Sequence, residues 1–187
     1  MSLDESPHES PVNRLPVNTY HCRFCSHLLL ATTRRIDSLP QRKRDESGGG
    51  LDGAIILPLT RPSSSSSSDH EQNDKIDHVT ILLSTILPNS FRSIVRRADG
   101  FEKRIFLRCG RCHVFVGYFL DAIHFPAPPT PSAEDKTSTE PKVVYILPGA
   151  LVDTSLLAQG DEAKLSAKDG EWREWFHFNG NNSQPWR

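Results

Sequence analysis

The chain has 187 residues, 36% of them hydrophobic, with 14 prolines and a formal net charge of -1 at pH 7. That balance excludes a protein that grips nucleic acid through a uniformly basic surface, and with its serine- and proline-rich stretches it points to one domain of roughly 100 to 120 ordered residues. The longest apolar run, "VTILLSTIL" from Val79 to Leu87, is about half of a bilayer span, so it reads as a core segment and no transmembrane span is expected.

In chain order, residues 1–17 are acidic and dotted with proline, and a disordered tail is expected there. They lack the basic start and apolar run of a secretory leader, so the expected location is the cytoplasm, with the nucleus as the alternative, and cysteines there are reduced thiols. Residues 18–158 should carry the folded β domain. "YHCRFCSHLLLATT" places Cys22 and Cys25 ahead of a strand. Residues 41–77 hold glycine and serine tracts with too little apolar surface to offset their ordering entropy. They read as a flexible insert with one short strand at Ala54 to Leu59, and Ser47 to Asp74 is expected to be removable without loss of the fold.

"FRSIVRRADGFEKRIFLRC" reads as a hairpin turning at Asp99-Gly100, since that dipeptide supplies the positive φ of a tight turn. "CHVFVGYFL" is apolar on both faces and should be a central strand. Residues 125–142 form a proline-rich surface loop, and "KVVYILPGALV" adds one more strand ending at Pro148-Gly149. Residues 159–187 then read as a polar linker followed by an aromatic tail segment that holds all three tryptophans.

All four cysteines lie in two Cys-x-x-Cys knuckles, Cys22 with Cys25 and Cys109 with Cys112. Each knuckle sits in a tight turn between strands, which brings its two sulfurs to one side. Two such turns facing each other supply the four thiolates that close a tetrahedral zinc shell, so one structural Zn2+ per chain is expected. Thioredoxin-like chemistry, the thiol oxidoreductase alternative, needs its thiols at a helix N-terminus, whereas strand formers follow both pairs. His21, His27 and His113 flank the knuckles but are surplus to four sulfurs. No catalytic constellation stands out, so a non-enzymatic protein is expected.

Arg92, Arg96, Arg97, Lys103 and Arg104 give the hairpin a locally basic face. It reads either as a surface for a partner or for nucleic acid, or as a solvated edge that discourages aggregation. Trp172, Trp175 and Phe176 fall at i, i+3 and i+4, one face of a helical turn. They would either cover the β domain or anchor in a partner's groove.

Together "YHCRFCSHLLL", "LPQRKRD", "RRADGFEKRIFLRCGRCHVFVGY" and "VVYILPGALV" resemble, in order and placement, the STING ER exit protein family. The resemblance implies an all-β fold: a small antiparallel zinc-binding sheet, tent-like or zinc-ribbon-like, that works by binding partners. It further implies a protein-protein interaction role in ER to Golgi transport or endoplasmic reticulum membrane organisation at the cytosolic face. The partner would be an ER membrane protein or a vesicle-coat component. A nuclear, spliceosome-associated role using the basic hairpin is the alternative. The chain departs from the animal members' tighter Cys-x-Cys first motif and carries a serine-rich insert foreign to them.

Overall fold

The computed structural model describes residues 15–43, 52–59, 78–97, 100–125 and 141–180, with the backbone alone at 97 and 174–180. Residues 1–14 of the expected tail, 44–51 and 60–77 of the insert and 126–140 of the proline-rich loop lie outside the described residues.

The described strands form two antiparallel sheets. β1 (Asn18–Cys22), β2 (Leu28–Thr32), β4 (Thr80–Leu82) and β10 (Leu151–Asp153) build the first, in the order β10-β1-β2-β4. The second runs β3-β9-β8-β7-β5, from β3 (Ile55–Pro58), β5 (Ile86–Pro88), β7 (Gly100–Cys109), β8 (Phe115–Leu120) and β9 (Val143–Ile146). β6 (Ser93–Arg97) pairs with the first half of β7, and β5 with its second half. One apolar core joins the sheets, with Tyr20, Leu29 and Leu30 from the first and Phe106, Val116, Val144 and Ile146 from the second. β8 lies between β7 and β9 and buries Phe115 through Tyr118, the central strand its two apolar faces require.

Two apolar runs, one read as a core segment and the other as one strand, each divide between the sheets. "VTILLSTIL" gives β4 to one and β5 to the other, turning at Leu83 to Thr85, where Ile86 N donates to Leu83 O at 3.0 Å. "KVVYILPGALV" gives β9 and β10, turning at Pro148-Gly149. Gly149 has φ +68, and a Cβ there would meet Lys168 O at 2.0 Å. Glycine is therefore required both by the turn and by the close approach of the C-terminal helix. The basic hairpin pairs Arg97 with Gly100, so Gly100 belongs to β7 rather than to the turn expected at Asp99-Gly100; residues 98 and 99 lie outside the described residues.

The expected C-terminal linker is helical instead. α1 (Thr154–Gln159) is capped by the Asp153 carboxylate, which accepts from Leu156 N at 2.9 Å, and ends at Gly160 in the left-handed region. α2 (Glu162–Gly180) follows. Its first turns are rich in strong helix formers, Ala163, Lys164, Leu165, Ala167 and Lys168, against which the single Gly170 costs about 1 kcal/mol.

Part of the insert belongs to the fold. β3 pairs with β9 along Ile55 to Pro58, and Gln41 bridges Ile55 from the other side. Arg104, 1% exposed, binds Asp52 at 2.6 Å and Glu102 at 2.5 Å. Arg42 grips both oxygens of Glu102, at 3.0 and 2.7 Å, and donates to the Tyr118 hydroxyl at 2.8 Å. The Arg104 guanidinium lies 4.1 Å from the Tyr118 ring centre, and Tyr118 stacks on Tyr145. Two cations and two anions thus neutralise each other in one buried network. Deleting Ser47 to Asp74 would remove Asp52 and β3, so the expectation that this stretch is dispensable is corrected.

Asp52→Ala leaves Arg104 with one anion fewer in a dry site and should cost about 3–5 kcal/mol in equilibrium urea unfolding. Asp52→Ala combined with Arg104→Met removes both charges and should recover more than half of that loss; an additive double mutant would refute the pairing as the cause.

Candidate metal centre

Each knuckle caps a hairpin from a different sheet. Cys22 ends β1 and Cys25 lies in the turn before β2; Cys109 ends β7 and Cys112 lies in the turn before β8. The turns share one backbone design. Cys22 N donates to His27 O at 2.8 Å and Ser26 N to Cys22 O at 2.9 Å; Cys109 N donates to Val114 O at 3.0 Å and His113 N to Cys109 O at 2.8 Å. Ser26 and His113, one residue past each second cysteine, both take positive φ, 56 and 60°. The left-handed residue reverses the chain while the sulfurs stay on one side.

The four sulfurs lie within 4.8 Å of one another. Cys22 Sγ is 3.5 Å from Cys112 Sγ, and Cys25 Sγ is 3.5 Å from Cys109 Sγ. None is in a disulfide, and Cys22 and Cys109 are buried. Ideal tetrahedral zinc with 2.3 Å bonds would separate its sulfurs by about 3.8 Å, which falls inside the observed range. The donor set therefore fits a closed four-thiolate site that can hold a metal ion. Backbone N–H groups turn to the sulfurs, those of Phe24 and Cys25 to Cys22 and those of Arg111 and Cys112 to Cys109.

Ionisation is divided among the thiols. Burial pushes the Cys22 and Cys112 thiols up. Cys109 is held below its usual value: burial opposes this, but the N–H groups of Cys112 and Arg111 and the neighbouring thiols outweigh it. Four clustered thiolates, two of them buried, repel one another unless a cation sits among them, which is the electrostatic case for a metal here.

The chain's crossings between sheets brace both turns. The Thr85 hydroxyl donates to Leu28 O at 2.7 Å beside the first knuckle, and Thr85 O accepts from Gly110 N at 2.7 Å within the second. A Cβ on Gly110 would lie 2.9 Å from that oxygen. Arg23 N donates to Ala150 O at 3.0 Å, tying the first knuckle to the β9–β10 turn. Sequence reasoning missed Thr85, Gly110 and Ala150; the only trace was the Ser84-Thr85 pair inside an apolar run and a glycine in a basic one.

The flanking histidines do not join the cluster. His21 is held between Ser26 O and the Thr154 hydroxyl, each at 3.0 Å, and His113 is exposed. The basic face divides. Arg104 is buried in the charge network, so its reading as a surface residue is corrected: β7 alternates, and residues 102, 104 and 106 turn inward. Arg92 is exposed and pairs with Asp121 at 2.7 Å; Arg96 and Lys103 are exposed; Arg97 lies at the end of β6.

Trp172 lies on the knuckle. Its ring meets Phe24 edge-on at 4.8 Å between centres, and its Nε1 donates to Phe115 O at 3.4 Å. Arg23, in the same turn, reaches Leu165 O at 3.3 Å and Asp169 at 2.7 Å. Of the two readings of the aromatic segment, Trp172 follows the covering one. Trp175 and Phe176 continue α2, and their side chains are outside the description.

A family model described as the STEEP1 domain matches residues 12–161. Among curated proteins, none matches the chain.

Cys25→Ser should abolish stoichiometric metal retention after gel filtration, because it opens the closed shell. His113→Gly should keep the metal and raise stability by about 0.5–1 kcal/mol, since glycine relieves the left-handed strain at a smaller entropic cost. Loss of metal in the glycine variant would instead make His113 a ligand.

Proposed function

The chain belongs to the STEEP1 domain family, and from that premise we propose that it is a non-enzymatic, zinc-stabilised protein-interaction module assisting membrane-protein exit from the endoplasmic reticulum. The observation that carries the zinc assignment is the four-sulfur cluster, because an all-thiolate tetrahedral set suits zinc and leaves no open position for a reacting water or substrate. Zinc bound there supplies cross-linking rather than Lewis-acid chemistry. A closed, structural site supports a binding role over an enzymatic one. Each Cys-x-x-Cys leads into a strand, β2 or β8, which disfavours thiol oxidoreductase chemistry.

The work would be done at the cytosolic face of the endoplasmic reticulum, with an ER membrane protein or a vesicle-coat component as partner. No described helix is long and apolar enough to cross a membrane. The nuclear RNA-processing alternative is weakened by the burial of Arg104 and the pairing of Arg92 with Asp121, which take two cations from the face it needs.

Purified protein should contain one zinc per chain by elemental analysis. Its retention should fall as the pH is lowered, because protons compete with metal for the thiolates. Affinity capture from detergent-solubilised cells should enrich endoplasmic reticulum membrane proteins and coat components with the parent chain but not with a Cys25→Ser, Cys112→Ser variant. Capture dominated by RNA and lost at raised salt would overturn the trafficking reading.

A further inference from the structure

Among the described residues, the outer edge of β6 is open. Asp121 N donates to Lys103 O at 3.0 Å, and Lys103 N donates to His124 Nε2 at 2.8 Å, so both backbone groups of Lys103 point toward the β8 side. Ladder partners alternate in an antiparallel pair. Glu102 and Arg104 therefore turn their backbone groups to Val95 and Ser93, and Ile94 and Arg96 turn theirs away from β7. Among the described residues, no strand other than β7 pairs with β6.

The face beside this edge is apolar and cationic. Ile94 stands opposite Lys103, and Arg96 opposite Phe101, on the side away from the buried Glu102 and Arg104. Ile94 is 65% and Phe101 72% exposed. Arg96 and Lys103 are exposed as well, while the charge of Arg92 is engaged by Asp121. Large exposed apolar groups beside an unpaired strand are what proteins ordinarily avoid unless the edge is used.

We propose that β6 is a docking edge for an extended segment of a partner protein that adds to the sheet as a further strand and sets an acidic and an apolar side chain two residues apart, on the face shared by Ile94 and Arg96. Backbone groups of Ile94 and Arg96 would form the ladder, a carboxylate would meet Arg96, and an apolar side chain would lie against Ile94. A second copy of the chain is the poorer occupant, because its matching edge carries charge of the same sign. The proposal rests on the reading of the chain as a protein-interaction module.

The probe is a fluorescein-labelled decapeptide of repeating Glu-Thr-Val-Thr, which sets glutamate and valine in turn on one face of a strand, titrated into the zinc-loaded full chain and compared with the same peptide carrying lysine in place of glutamate. The acidic peptide should bind, the basic one should not, and amide exchange at Ile94 and Arg96 should slow on binding. Ile94→Pro removes an outward donor without breaking a β6–β7 bond, and Arg96→Glu reverses the facing charge; each should weaken binding by about tenfold or more with zinc content unchanged. Should the proline variant lose its zinc, Arg96→Glu carries the test alone. Equal binding of both peptides, protection elsewhere, no binding, or dimerisation through β6 without peptide would overturn the proposal. Partner capture that survives both substitutions would refute the edge and leave the module reading standing, whereas a parent chain that captures nothing would refute that reading itself.

Discussion

Four sulfurs from two separate sheets meet at one point, and the rest of the architecture follows from that constraint. The Cys22 and Cys25 turn belongs to the β1–β2 hairpin, and the Cys109 and Cys112 turn to the β7–β8 hairpin. Bringing them together closes a loop of roughly 80 residues, a cost of about 4 kcal/mol by the chain-entropy estimate. Structural zinc contributes on the order of 10–16 kcal/mol in small peptide systems. That margin allows a loop with serine- and glycine-rich tracts between the knuckles.

The protein surrounds the cluster with contacts that each reach across the sheet boundary. Thr85 joins the two knuckles through both its hydroxyl and its carbonyl, and Ala150 anchors the first from the β9–β10 turn. Arg23 and Phe24, the two residues between the first pair of cysteines, hold α2 through Asp169 and Trp172. The turn that presents two sulfurs thus also seats the C-terminal helix. A second anchor lies on the larger sheet, where Arg42 and Asp52 close over Glu102 and Arg104. The cluster and the charge network each tie segments distant in sequence into the β domain.

The knuckles and the central strand were legible because their signals are local: a spacing of cysteines, and a run apolar on both faces. The family was legible from the order of four short motifs. Arg104 was not, since a basic residue in a basic stretch gives no hint of Asp52, whose place was hidden in an insert judged by its glycines and serines. The two strand-to-strand crossings were missed because one apolar run can serve two sheets, and only the turn at Ser84-Thr85 or Pro148-Gly149 marks the change. α2 was obscured by Gly170 and by a charged composition that suits a linker as well as a helix.

The most direct test of the account is amide hydrogen exchange on the zinc-loaded chain and on the same chain after chelation, read separately for the β1–β2 and β7–β8 hairpins. If the four thiolates clamp the two sheets, removing the metal should collapse protection in both hairpins together and in the α2 turns near Asp169 and Trp172. Protection that persists in either hairpin at its metal-loaded level would contradict the account, because that sheet would then be stable without the centre.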